Sequence, residues 1–270
     1  MEEFRRAGLV FEVRDGGPAG GDAVVLLHGF PQDHTCFDGV VPDLHAAGLR
    51  TLVPLQRGYS PGARPPGRAP YRLGECAADV LALLDAAGLT RAHVVGHDWG
   101  GAVAWHLGQH HPERVRTLAV LSTPHPRAMA AAMLRGGQAL RSFYMAWFQL
   151  PLLPERILPR VLRRAIVRAG LPAEVAERYV RRIVQPGALT AALNWYRAIP
   201  WSMSPPGQVP VPTTYIWGRR DPYLGRHAAT RTGRYVSGPY EFRTLDAGHW
   251  LPETRPAETA ALLLKAVTTG

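Results

Sequence analysis

The sequence predicts an α/β protein, a mostly parallel sheet with helices on both faces, interrupted late in the chain by a helical insertion. Three observations carry this. Short unbroken apolar runs, Ala23–Leu27 and Val115–Leu121, have the character of strands buried on both faces. They alternate with stretches of helical spacing long enough to cross between parallel neighbours. The alternation stops from about Pro124 to Pro210 and then resumes.

Leu9–Arg14 reads as a strand, and the Asp-Gly-Gly-Pro-Ala-Gly-Gly run at 15–21 as its turn. The strand Ala23–Leu27 ends at His28-Gly29-Phe30-Pro31. Val40–Ala47 has helical spacing and stops at Gly48, and Arg50–Val53 is a third strand. The glycine- and proline-rich stretch 54–70 is a long loop. Across Tyr71–Ala87, Leu73, Ala77, Val80, Leu81 and Leu84 share one helical face, and Gly88 ends the helix. His93–Val95 is a strand and Ala102–Leu107 a helix. Within 124–210, Met129–Leu134, Glu155–Ala169 and Glu174–Val184 are helical, Phe143–Phe148 is aromatic, and no segment reads as a strand. Thr213–Trp217 and Tyr240–Leu245 restore the strands, and Glu253–Val267 follows as one helix. Residues 1–123 and 211–270 are therefore expected to form one core, with 124–210 a helical cap over the C-terminal edge of its sheet.

A chain of 270 residues can hold such a core plus an insertion, and 46% hydrophobic content excludes a disordered protein. The formal charge of +10 comes from 30 arginines and a single lysine, Lys265. They are spread along the chain without a basic helix interleaved with aromatics, so nucleic-acid binding is not expected. Between Arg127 and Arg182, eleven arginines face only Glu155, Glu174 and Glu177, which reads as a solvated face or as a patch for an anion or partner. Cys36 and Cys76 match no metal or redox spacing, and no metal is expected. Met1-Glu2-Glu3-Phe4-Arg5 lacks a signal-like core and no apolar run reaches membrane-spanning length. The expectation is a cytoplasmic monomer or homodimer with no membrane span.

The candidate chemistry centres on Gly96-His97-Asp98-Trp99-Gly100-Gly101, set between the strand His93–Val95 and the helix after it. Glycines two residues either side of a polar residue at a strand-to-helix corner describe a nucleophile elbow, because side chains at Gly96 or Gly100 would collide with neighbouring elements. The central residue is Asp98. A carboxylate at a helix N-terminus stays ionised and can attack carbon, giving an ester that an activated water later cleaves. Asp221 follows the strand Thr213–Trp217, and His249 follows the strand Tyr240–Leu245, each at the strand end where open α/β sheets assemble sites. The order Asp98, Asp221, His249 is that of nucleophile, orienting acid and base. Asp246, on the same strand as His249, is the weaker orienter. His110 and His111 read as helix-end residues before Pro112.

Together with His28-Gly29-Phe30-Pro31 and Gly248-His249-Trp250, these motifs resemble those of the soluble epoxide hydrolases of the α/β-hydrolase superfamily, over essentially the whole chain. Arg57-Gly58-Tyr59-Ser60 resembles the family's arginine-glycine-tyrosine-glycine turn, with serine in place of the second glycine. Tyr144-Met145-Ala146-Trp147-Phe148-Gln149 and Asn194-Trp195-Tyr196-Arg197 resemble the two cap stretches that carry ring-opening tyrosines, which fall on Tyr144 and Tyr196.

The resemblance implies an α/β-hydrolase fold with eight strands, a cis peptide before Pro31, and hydrolysis of a small-molecule epoxide by water to a vicinal diol without a cofactor. The backbone amides of Phe30 and Trp99 are expected to form the oxyanion hole. Phenols stay protonated at neutral pH and can meet the alkoxide of an opening ring. Trp99, Phe148, Trp195 and Trp250 are candidate pocket residues, and His28, Gly29, Pro31, Gly96 and Gly100 supports near the site. The rival readings are a haloalkane or haloacid dehalogenase using the same aspartate, with Trp99 as halide donor, a tailoring hydrolase for a polycyclic epoxide, and an inactive binding protein on this scaffold. The paired tyrosines suit an alkoxide better than a halide, the intact triad counts against lost activity, and a serine esterase is excluded by Asp98.

Overall fold

Alternate residues along the apolar runs face opposite sides of one sheet. Val24 and Leu26 join the core cluster beneath Leu44 and Leu263, whereas Val25 and Leu27 join the cluster containing Leu83 and Val103. A strand covered on both sides must be apolar throughout, and every residue of Ala23–Leu27 is buried. This computed structural model describes residues 1–134, 137–202 and 207–268.

The strands are β1 (Glu3–Arg6), β2 (Leu9–Gly16), β3 (Ala23–Leu27), β4 (Arg50–Pro54), β5 (Ala92–His97), β6 (Val115–Leu121), β7 (Thr213–Gly218) and β8 (Tyr240–Leu245). They form an 8-stranded sheet in the order β1-β2-β4-β3-β5-β6-β7-β8. All neighbours pair in parallel except β2, which is antiparallel to both β1 and β4. Helices α1 (Val41–Ala46), α2 (Leu73–Ala86) and α3 (Trp99–His110) belong to the first part of the core. A purely helical segment follows, with α4 (Pro126–Leu134), α5 (Gln138–Arg141), α6 (Phe143–Trp147), α7 (Leu153–Arg168), α8 (Ala173–Ile183) and α9 (Ala188–Arg197). The chain then returns to the sheet, with α10 (Arg226–Ala229) between β7 and β8, and α11 (Leu251–Thr254) and α12 (Pro256–Thr268) after β8.

This is the α/β-hydrolase architecture, and three details differ from the reading of the sequence. The strand β1 was not legible, because only Phe4 of its four residues is buried, stacked on Phe11 with ring centroids 4.7 Å apart. The helix read from Glu253 to Val267 is two helices. Arg255, at φ −141°, leaves the helical region ahead of Pro256, whose ring disfavours helical backbone in the residue before it. The helix read from Tyr71 begins at Leu73, after an extended Arg72.

Candidate active site

The elbow is a single residue. β5 ends at His97 and α3 starts at Trp99, so Asp98 alone turns the chain, at φ 51° and ψ −119°. A positive φ is costly for a side-chain-bearing residue, and the surrounding backbone has to enforce it. A Cβ at Gly96 would overlap the Gly100 carbonyl, one at Gly100 the Leu27 carbonyl, and one at Gly29 the Asp98 side chain itself. The glycines thus let β3, β5 and α3 meet backbone to backbone around the carboxylate. The peptide between Phe30 and Pro31 is cis.

Asp98 Oδ1 accepts a hydrogen bond from the Phe30 amide at 2.8 Å, and Oδ2 lies 3.4 Å from His249 Nε2. The side chain makes no capping bond to its own helix, so the amide that holds it comes from the loop after β3 and not from the first turn of α3. On the other side of the imidazole, His249 Nδ1 is 2.8 Å from Asp221 Oδ2. Asp221 Oδ1 accepts from the amides of Tyr223 and Leu224 at 2.8 and 3.0 Å, which fixes the carboxylate plane. The loop bearing His249 can pass the end of β7 only because of Gly218, where a Cβ would overlap the Gly248 carbonyl. The His249 carbonyl in turn accepts from Ser122 Oγ at 2.8 Å and lies 2.9 Å from His97 Nε2.

Electrostatics follow from this geometry. Burial works against a charged imidazole, but Asp221 and then Asp98 outweigh it and raise the His249 pKa to about 10. Burial likewise works against the Asp98 carboxylate, and the hydrogen bond and charge of His249 reverse that, leaving its pKa below the usual range. The side chains of His249 and Asp221 are 2% and 0% exposed, while that of Asp98 is 18% exposed, so a solute can reach Asp98. Burial, followed for Tyr144 by the Asp98 charge and for Tyr196 by Tyr144 and then Asp98, pushes both phenol pKa values well up. Both phenols are neutral donors near an anion.

Aromatic rings pack around these groups. Tyr196 packs on Trp99 with centroids 4.9 Å apart, on Phe148 at 4.8 Å, on Phe30 at 5.5 Å and on Tyr144 at 6.1 Å. Trp195 lies 5.7 Å from Trp99 and donates its indole N–H to the Arg57 carbonyl at 2.8 Å. Trp250 packs edge-on against His249 at 5.0 Å. His28 is fully buried, with Nδ1 3.1 Å from the Gly29 carbonyl and Nε2 accepting from the Gln56 amide at 3.2 Å. Burial lowers its pKa to about 4, so it is neutral. Pro31 is buried next to it.

Four residues around the site were not picked out from the sequence. Tyr223 lies edge-on to His249 at 5.0 Å and to Tyr144 at 5.9 Å. Its position two residues after Asp221, in an Asp-Pro turn, is the only signal it gave. Ser122 sits at φ 67° and reaches the His249 carbonyl. Gln32 accepts from the Gly29 amide at 2.9 Å, lies 2.8 Å from His97 Nδ1 and donates to Glu253 at 2.6 Å. Glu253 also accepts from Tyr179 Oη at 3.0 Å, and burial raises its pKa to about 7. Among the described residues no group of three or more His, Cys, Asp or Glu side chains could hold a metal ion.

A family model described as the alpha/beta hydrolase fold matches residues 22–256. The chain is 37% identical to the AB hydrolase superfamily protein YfhM of Bacillus subtilis, over 96% of this chain and 94% of that protein. It is 33% identical to epoxide hydrolase A of Mycobacterium tuberculosis, over 97% and 95% of the two chains. The crystal structure of epoxide hydrolase A from Mycobacterium thermoresistibile superposes with a TM-score of 0.85 at 27% identity, covering 98% of this chain and 97% of that one. An ionisable aspartate at a glycine-framed elbow, paired with an Asp–His relay on that sheet, marks an α/β-hydrolase with a carboxylate at its centre. The chain belongs to the α/β-hydrolase family, in its epoxide hydrolase branch.

Proposed function

We propose that this protein hydrolyses an epoxide to a vicinal diol through a covalent ester on Asp98. The observation that carries the reading is a carboxylate held by the Phe30 amide and faced by His249, with two neutral phenols in its field. The relatives that bear the name epoxide hydrolase support it. Segment 124–210, which contains α4 to α9, acts as the cap that brings Tyr144 and Tyr196 to the core.

Asp98 Oδ2 attacks a ring carbon, and the breaking C–O bond leaves an alkoxide that takes a proton from a phenol. The His249 proton restores that phenol. Once Asp98 is an ester its charge is gone, so the proton affinity of His249 falls and the neutral imidazole can take a proton from water. Hydroxide adds to the ester carbonyl, whose oxygen is Oδ1 beside the Phe30 amide, with Trp99 N–H as second donor. Collapse of the adduct expels the diol oxygen, which takes the proton His249 drew from water, and the new Asp98 carboxyl passes its own proton to the imidazole, restoring the resting carboxylate–imidazolium pair. No cofactor is used in this scheme. A dehalogenase has to stabilise a departing halide, whereas two neutral phenols near Asp98 suit an alkoxide, which favours the epoxide reading.

In a single turnover of styrene oxide in oxygen-18 water, the diol is expected to carry unlabelled oxygen, and the label to appear in the peptide containing Asp98. His249→Gln should accumulate an ester adduct visible by intact mass. Label in the first-turnover diol, or chloride release from a chloroalkane with no diol from any epoxide, would reject the proposal.

A further inference from the structure

Among the described residues, every large apolar side chain that is exposed lies between Met133 and Trp201, with Met1 the one exception. The core has no comparable surface. Leu140 and Phe143, 85% and 73% exposed, stand one turn apart across α5 and α6, and Leu152, 64% exposed, leads into α7. There Leu153, Ile157 and Val161 recur every fourth residue on the exposed side, while Pro154, Leu158, Leu162 and Ile166 form the buried side. The helix is therefore apolar on two sides, and only one of them has a partner.

The charges beside the exposed side are of one sign. Arg156, Arg160, Arg164 and Arg168 are exposed on α7, and no carboxylate lies within ion-pair distance of them among the described residues. Of the three acids in this stretch, Glu155 pairs with the buried Arg197 and Glu177 with Arg163, which leaves Glu174, exposed in the first turn of α8, as the one acid against these arginines among the described residues. A second copy of this chain would bring arginine against arginine on such a face. An anionic bilayer surface meets both features, taking the apolar side chains at the acyl boundary and the guanidinium groups at the headgroups.

We propose that the outer face of the cap, along α5, α6 and α7, docks the protein on anionic lipid membranes. The docking stands on the surface alone. Its use rests on the epoxide reading: an apolar epoxide partitions into lipid, and the site is walled by Phe30, Trp99, Phe148 and Tyr196. Helix α6 carries the exposed Phe143 beside Tyr144, whose ring packs on Tyr196 and Tyr223, which puts exposed apolar surface and the proposed chemistry on adjacent residues.

The test is flotation with vesicles of phosphatidylcholine and with vesicles of equal parts phosphatidylcholine and phosphatidylglycerol. The protein should float with the anionic vesicles about tenfold more than with the neutral ones at low salt, and the difference should shrink at about 0.5 M salt. The triple variant Arg156→Glu, Arg160→Glu, Arg164→Glu, and separately Leu153→Ser with Ile157→Ser, should lose most of the binding while keeping the wild-type kcat/KM for dissolved styrene oxide. An Ile157→Cys protein with a polarity-sensitive dye gives a readout in an otherwise intact chain, since Cys36 and Cys76 are buried, and should shift blue on anionic vesicles. Equal flotation on both vesicles, an unshifted dye, or a solution dimer that hides the dye and ignores vesicles would overturn the proposal. Loss of epoxide turnover with flotation intact would instead reject the catalytic reading alone.

Discussion

With Asp221 2.8 Å from Nδ1 and Asp98 facing Nε2, the resting His249 is a cation, and the proton it holds has consequences for stability as well as chemistry. Its folded pKa of about 10 lies above the ordinary histidine value of 6.5, so the stabilisation is complete below about pH 6.5 and lost as pH rises through 10. Denaturant unfolding of wild type should therefore weaken over that window by more than unfolding of His249→Gln. Glu253 gives a slope of the same sign in a lower pH window. Burial raises its pKa from 4.5 to about 7, so it destabilises the fold progressively as pH rises between those values, by up to roughly 3 kcal/mol. Glu253→Gln should remove that slope, and unfolding curves at pH 5 and pH 7.5 compared with wild type would reveal it. Neither Glu253 nor its partner Gln32 was legible beforehand, because a glutamate at the start of a helix is an ordinary surface feature until Tyr179 and Gln32 close over it.

The helix α9 shows how the element that carries the proposed ring-opening Tyr196 is held in place. Arg197, next to Tyr196, donates to the carbonyls of Phe148 and Leu150 at 3.0 and 2.8 Å and pairs with Glu155 at 2.7 Å, with only 5% of its side chain exposed. Arg197→Leu would strip Glu155 and two carbonyls of their donor, and a loss of roughly 3–5 kcal/mol is expected, read as a lower thermal midpoint. At the elbow, Gly100→Ala should lower expression or stability sharply, because the new methyl meets the backbone of β3 and not a side chain that could swing away. Sequence patterning revealed the strands that frame the site, since apolar runs and turn glycines are local signals. It did not reveal α9, nine of whose ten residues are buried, so that no exposed polar face marks the helix period, nor that the aromatic stretch at α6 is helical. The departure at Ser60 also has a local explanation: its φ is −66°, so glycine is not required there, and its hydroxyl accepts from the Glu12 amide at 3.1 Å.

Across the whole molecule, Asp98, Asp221 and His249 were readable because each follows a strand of the sheet, while Ser122 and Tyr223 make their contacts only between distant segments. The distribution of burial also predicts unequal stability. Amides of β3, β5 and β6 should exchange with solvent only on global unfolding, whereas those of α4, α5 and α6, short and flanked by exposed apolar residues, should exchange through local opening. Mass-resolved hydrogen exchange of the intact protein would show the reverse order if the cap were the more rigid part. This asymmetry bears on how the two phenols behave. Trp195 is tied to the Arg57 carbonyl and Asn194 to that of Gly67 at 3.0 Å, so the helix of Tyr196 is fastened to the core segment between β4 and α2, whereas Tyr144 rides on a five-residue helix with no buried residue of its own. On the proposed reading, larger or bulkier guests should be accommodated by yielding on one side only, and variants that broaden the range of molecules accepted should map around Tyr144, leaving the surroundings of Tyr196 unchanged.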